Sequence, residues 1–134
     1  MIQKKKKKNI NLGLLIRVTI FFLLPLTVYA ETIEKKYASF KLLNKTTNKV
    51  SAKDILVNSK ISWESLNIEV LYCGSTTPTE IPEDYVLIDV YDTVNNKSTN
   101  IYRGWMISSS PDVTPLENPI YDLWLVDCIN DKTS

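Results

Sequence analysis

A succession of short runs in which apolar and polar residues alternate, each closed by turn-forming residues, constrains the fold of this chain most. Residues 85–93 (YVLIDVYDT) are the clearest, with Val86, Ile88 and Val90 facing one way. Side chains alternate between the two faces of a strand, so a period of two marks a half-buried strand. Residues 67–73 (NIEVLYC) repeat the pattern with Ile68, Val70 and Tyr72. Further strands are expected at 39–43, 49–56, 61–63, 99–107 and 121–129. Between them, 44–48 (NKTTN) and 94–98 (VNNKS) read as turns, the second as an asparagine-rich hairpin. Pro78 and Pro82 mark 74–84 as a loop, and Pro111, Pro115 and Pro119 mark 108–119 as another. About seven short strands predict an all-β domain, a small antiparallel β-sandwich or a partly open barrel.

The first 30 residues follow a different logic. Five lysines, Lys4–Lys8, and Arg17 precede the apolar run 18–26, and Val28 and Ala30 supply small residues before an expected cut. A basic start, a short apolar run and a small-residue end are the parts of a secretory signal peptide. The apolar stretch is shorter than the ~20 residues that span a bilayer. Cleavage after Ala30 and a periplasmic location are expected, and an uncleaved inner-membrane anchor is the other reading. Residues 31–37 read as a flexible lead, 38–130 as one β-domain and 131–134 as a tail.

Removing the leader changes the charge. The whole chain has 16 basic and 15 acidic residues, and the leader holds six of the basic ones and none of the acidic ones. The remainder therefore carries a net charge of −5. Such a domain repels nucleic acid and anionic lipid, which are bound mainly through Lys and Arg. Neither nucleic-acid binding nor membrane insertion after cleavage is expected.

Cys73 and Cys128 are the two cysteines. In an exported chain they suggest one disulfide, with two buried thiols or intermolecular pairing as the alternatives. Alternation opposes the pairing. It puts Cys73 on the face away from Ile68, Val70 and Tyr72, and puts Cys128 with Trp124 and Val126. A strand-end position or a bulge could bring the two sulfurs together.

Catalytic chemistry has little footing. Histidine is absent, which removes Ser-His and Cys-His pairs and imidazole ligands for zinc. No cofactor and no metal are expected. The carboxylates fall in two groups: Glu80, Glu83 and Asp84 in one loop, and Glu117, Asp122 and Asp127 near the C-terminus. They read either as a solubilising surface or as the source of a hydrolytic pair or a calcium site. Aromatics are the better lead. Trp105, Tyr121 and Trp124 surround the second proline-rich loop, and Trp124 fits a core position. Trp105 shares a face with Ile101, Arg103 and Ile107, and reads equally as core or as a surface anchor. The candidate binding set is Trp105, Ser109, Ser110, Leu116, Glu117, Asn118 and Tyr121, with Trp105 and Leu116 at its apolar centre.

The C-terminal block is distinctive: Gly104-Trp105-Met106, Ser109-Ser110-Pro111, Leu116-Glu117, Pro119, Tyr121-Asp122, Trp124 and Asp127-Cys128. With Pro78 and the acidic 80–84 loop, it resembles the bacterial family called domain of unknown function 2155, from about Val50 to Cys128. The resemblance implies an exported protein of Gram-negative bacteria and assigns no activity. Family members commonly carry histidine at the position that Asn118 occupies here. The function expected from all this is a periplasmic β-domain that binds another envelope protein or assists envelope assembly. The alternative is a small carboxylate-based cell-wall hydrolase or a glycan-binding module.

Overall fold

The structure, a computed structural model, describes residue 9, residues 11–22 and residues 31–132. The chain divides into two compact units, Met1–Ala30 and Glu31–Ser134. In the first, Leu12–Phe22 forms the helix α1. No helix of the described residues is long and apolar enough to cross a membrane. The lysine run and the small-residue end of the expected leader lie outside the described residues.

The second unit is an all-β sandwich of two antiparallel sheets. Its strands are β1 (Thr32–Glu34), β2 (Tyr37–Asn44), β3 (Lys49–Leu56), β4 (Ser59–Trp63), β5 (Leu66–Thr76), β6 (Asp84–Val94), β7 (Lys97–Ile107) and β8 (Tyr121–Ile129). The larger sheet runs β5-β6-β7, and β1 and β4 pair with successive stretches of the outer edge of β5. The smaller sheet is β3-β2-β8.

Asparagine makes several of the turns. Asn95 and Asn96 both have positive φ (51° and 61°) between β6 and β7, the backbone that a two-residue hairpin of matching twist requires. Asn48 ends the β2–β3 turn at φ 54°, and Asn58 adopts φ 61° where the chain crosses from β3 to β4 in the other sheet. Asparagine tolerates this left-handed region better than most residues.

The core lies between the sheets. Leu66, Ile68, Val70, Val86, Ile88 and Val90 face Ala38, Phe40, Leu42, Leu123 and Leu125, all buried. Each of these Val, Leu, Ile and Phe side chains contributes roughly 1.5–3 kcal/mol of transfer free energy. The segment 31–37 is not only a lead: it contains β1, which pairs Thr32–Glu34 with Gly74–Thr76. Its composition is charged and polar because it forms a short exposed edge strand with no apolar face to bury.

Two bulges decide where the cysteines point. The β5–β6 register slips between Val70 and Tyr72, leaving Leu71 exposed and turning Cys73 inward. The β2–β8 register slips opposite Ser39 and Phe40, leaving Val126 exposed and turning Cys128 inward. A bulge adds one residue, so every side chain beyond it changes face. Cys73 and Cys128 therefore meet in the core as a disulfide with a Cα–Cα distance of 5.8 Å, linking β5 of one sheet to β8 of the other.

Candidate functional site

Trp105 stands on the outer face of the larger sheet and is 48% exposed, so it is a surface residue. Its position follows from register. Across the sheet, Tyr72 pairs with Leu87 and Leu87 with Trp105, while Tyr85 pairs with Ile107 in the next row. Tyr72 meets the Trp105 indole edge-on, with 5.6 Å between ring centroids. Its hydroxyl shares a 2.9 Å hydrogen bond with the Thr32 hydroxyl. Thr32, Tyr72, Tyr85 and Trp105 line a shallow depression of about 310 Å³.

The Trp105 backbone is also fixed. Its carbonyl accepts hydrogen bonds from the hydroxyls of Tyr102 and Thr114, both at 2.8 Å. Thr114 belongs to the loop between β7 and β8. That loop thereby holds the Trp105 backbone, and its residues Asp112, Val113, Pro115, Glu117 and Ile120 are exposed.

The expected binding set is thus split. Trp105, Ser109 and Glu117 are exposed and Ser110 is half-buried, whereas Leu116 (3%), Asn118 (7%) and Tyr121 (7%) are buried. Leu116 belongs to the core and is not an apolar centre beside Trp105. Asn118 ties the loop down: its side-chain amide donates to Asp92 at 3.0 Å, and its side-chain oxygen accepts the backbone N–H groups of Ile120 (2.9 Å) and Tyr121 (3.0 Å). Its carbonyl takes the Lys45 ammonium at 2.7 Å. Trp124 does not enter the core between the sheets. It is half-buried and lines a small cavity with Pro111 and Pro115.

Ser109 is engaged by Glu83, whose carboxylate accepts the Ser109 hydroxyl, the Ser109 N–H (3.0 Å) and the Ser108 hydroxyl (2.9 Å). Desolvation opposes the charged form of Glu83, but these hydrogen bonds and one from the Asp84 N–H outweigh it and hold its pKa below the ordinary value. Two carboxylates from the separate acidic groups also come together. Asp84 stands beside Asp127 in one cleft, and Asp84 accepts the Ser75 hydroxyl. Desolvation, then the charge of Asp84, raises the Asp127 pKa. Both residues line a cleft of about 610 Å³ between Pro78 and Asn130. Glu117 and Asp122 take no part in it, and Asp122 pairs instead with Lys45 at 2.9 Å. Among the described residues, no group of three or more His, Cys, Asp or Glu side chains converges as a metal site.

Arg103, beside Trp105, covers Asp89. The hydrogen bond from Arg103, reinforced by Asn100 and Tyr91, lowers the Asp89 pKa against its desolvation. The Arg103 side chain is itself two-thirds exposed (67%) while Asp89 is almost covered (5%), so Arg103, with Asn100 and Tyr91, shields the carboxylate from water.

Sequence reasoning missed Thr32, Tyr72 and Tyr85 as neighbours of Trp105. Tyr72 was legible as an aromatic in a strand, but the bulge at Leu71 reverses its face. Thr32 lies in a segment with no alternation to read.

The site is thus an exposed aromatic cluster on the outer face of an all-β sandwich closed by one disulfide. The chain belongs to the family described as "Uncharacterized protein conserved in bacteria (DUF2155)", whose model matches residues 38–128. It is also similar to an uncharacterized protein of Rickettsia prowazekii (strain Madrid E), 25% identical over 99 residues. That match covers 70% of this chain and 63% of the relative, so the chain spans less than two thirds of the relative's length. No solved structure matches the chain.

Proposed function

We propose that this protein is an exported, periplasmic β-domain that docks another envelope protein through the outer-sheet face around Trp105. The observation that carries the reading is the pairing of a half-exposed Trp105 with a Tyr72 ring fixed by Thr32. Exposed aromatics held in one orientation lose little entropy on binding and make good interface anchors. Export is supported by the basic, apolar and small-residue order of the first 30 residues and by the disulfide, which suits an oxidising compartment.

The test is site-specific photocrosslinking in the native envelope with a probe at Ile107, next to Trp105 on the same face. A discrete protein adduct that disappears in the Trp105→Ala variant is expected. The reading fails if no adduct forms in the exported protein, or if the adduct survives Trp105→Ala unchanged.

A further inference from the structure

The core face of the smaller sheet can be read in rows from β8 through β2 to β3. The rows are Cys128–Ala38–Ile55, Leu125–Phe40–Lys53, Leu123–Leu42–Ser51 and Tyr121–Asn44–Lys49. On β8 and β2 these positions are buried and mostly apolar, except the half-buried Asn44. On the edge strand β3 only Ile55 is. The half-buried Ser51 and the exposed Lys53 and Lys49 then occupy the positions on the face toward the opposite sheet. That sheet ends there at β4, whose last residue, Trp63, is buried.

The sandwich is therefore open along one side, between β3 and β4. A cavity of about 470 Å³ fills the opening, floored by Leu42 and Trp63 and walled by Lys49, Ser51, Lys53 and Asn44. Thr47 and the single carboxylate Glu64 complete its lining. Residues 31–134 have an excess of five acidic residues, yet this cavity has two ammonium groups against one carboxylate. The ion pairs among the described residues are Lys45–Asp122 and Arg103–Asp89, so neither cavity lysine is neutralised by one. Lys53 lies over the Trp63 ring, 5.2 Å from its centroid. Ammonium groups in excess of carboxylate, beside hydroxyl and amide donors, attract an anion, which forms charge-assisted hydrogen bonds with them.

We propose that the opening between β3 and β4 binds a small anionic ligand. Its carboxylate or phosphate group sits between Lys49 and Lys53 within reach of Ser51 and Asn44, and its body rests toward Trp63. Movement of Lys53 onto the anion loosens its stacking on the indole, so Trp63 reports binding. This site is separate from the face of Trp105 and stands or falls independently of it. The competing role for these exposed lysines on an edge strand is to prevent edge-to-edge association.

The test titrates the folded, oxidised residues 31–134 with sodium phosphate, acetate and glucuronate at fixed ionic strength. It follows the backbone amides of residues 49–53 and the Trp63 indole by NMR. Saturable shifts confined to these groups are expected. Preference for phosphate, or for acetate and glucuronate, identifies the anion as a phosphate or a carboxylate. In Lys49→Gln/Lys53→Gln the affinity should fall about tenfold or more, the loss of one or two charge-assisted hydrogen bonds, with the protein still monomeric. The proposal is overturned if no anion gives saturable shifts. It is equally overturned if the double variant binds as well as the parent, or if that variant's only defect is self-association.

Discussion

The Tyr72 ring lies over the backbone of Gly74: a Cβ at Gly74 would come within 2.4 Å of the Tyr72 hydroxyl and 2.8 Å of the ring. The absent side chain is the seat that lets Tyr72 reach both Thr32 and the edge of Trp105. Gly74→Ala should push the ring aside, break its hydrogen bond to Thr32 and change the near-UV circular dichroism and tryptophan emission. A loss of about 1 kcal/mol in stability is expected, the scale of one net hydrogen bond. Gly104→Ala is the control. A Cβ there meets Tyr102 at 3.8 Å, an ordinary contact, and alanine in a strand is favoured over glycine by roughly 0.5–1 kcal/mol. That variant should keep the spectra and melt at the same temperature or slightly higher.

Trp105→Ala should be nearly neutral for folding, within about 0.5–1 kcal/mol, because the side chain is half in water and packs on one ring. Urea denaturation measures this directly. A core tryptophan would lose about 3–5 kcal/mol, so a loss in that range contradicts the outward placement of Trp105.

Cys73 and Cys128 close a span of 55 residues across the two sheets. Loop-closure entropy for that length is worth about 4 kcal/mol, a large share of the net stability of a small domain. The Cys73→Ser/Cys128→Ser variant should lose most of that amount in chemical denaturation, and the oxidised parent should weigh two protons less than the reduced form by mass spectrometry.

The two bulges behind this disulfide also mark where the sequence stops being readable. The strand segments, the asparagine hairpin at 94–98 and the proline loops follow from local chemistry, because alternation and turn residues act over a few positions. Leu71 and Val126 are apolar, so nothing in their identity announces that each is an extra residue turned out to solvent. The slip is set by the partner strand across the sheet, which a local pattern does not contain. Ile101 is a third case. The β6–β7 register shifts beside it, and it packs on the core instead of sharing the outer face of Trp105. Trp105 itself was readable as a candidate, but its neighbours depended on register.

The carboxylates give opposite pH signatures. Asp89 and Glu83 are held below their ordinary values in the folded state. Their stabilisation is present above the unfolded pKa and is lost as the pH falls through the folded pKa. Arg103→Gln should therefore lower the melting temperature at neutral pH and flatten its fall on acidification. Asp127 is raised, chiefly by desolvation and then by Asp84. Its favourable contribution exists below the unfolded pKa and disappears as the pH rises through the folded one. Asp127→Asn should raise the melting temperature at pH 7, and the gain should vanish in acid. Thermal melts across the acidic range read both signs, and a gain from Asp127→Asn that persists in acid would contradict the shared environment with Asp84.

Asn118 offers the most local test of how the long loop is held. One buried side chain satisfies the N–H groups of Ile120 and Tyr121 and reaches Asp92 across the molecule. Asn118→Ala removes all three hydrogen bonds and leaves the buried Tyr121 N–H without its partner. An unsatisfied buried polar group costs about 1–3 kcal/mol, and the loss should fall in that range. Asn118→Asp retains the acceptor for both N–H groups but puts a carboxylate against Asp92, so it should be tolerated in acid and destabilising at neutral pH. Hydrogen exchange of the Tyr121 amide separates the two variants. Exchange should quicken in Asn118→Ala at every pH, and in Asn118→Asp only as the two carboxylates ionise. Because Thr114 of the same loop caps the Trp105 carbonyl, loosening the loop at Asn118 should also broaden the Trp105 indole resonance. An unchanged indole in a destabilised Asn118→Ala would mean that Tyr102 alone holds the tryptophan backbone in place.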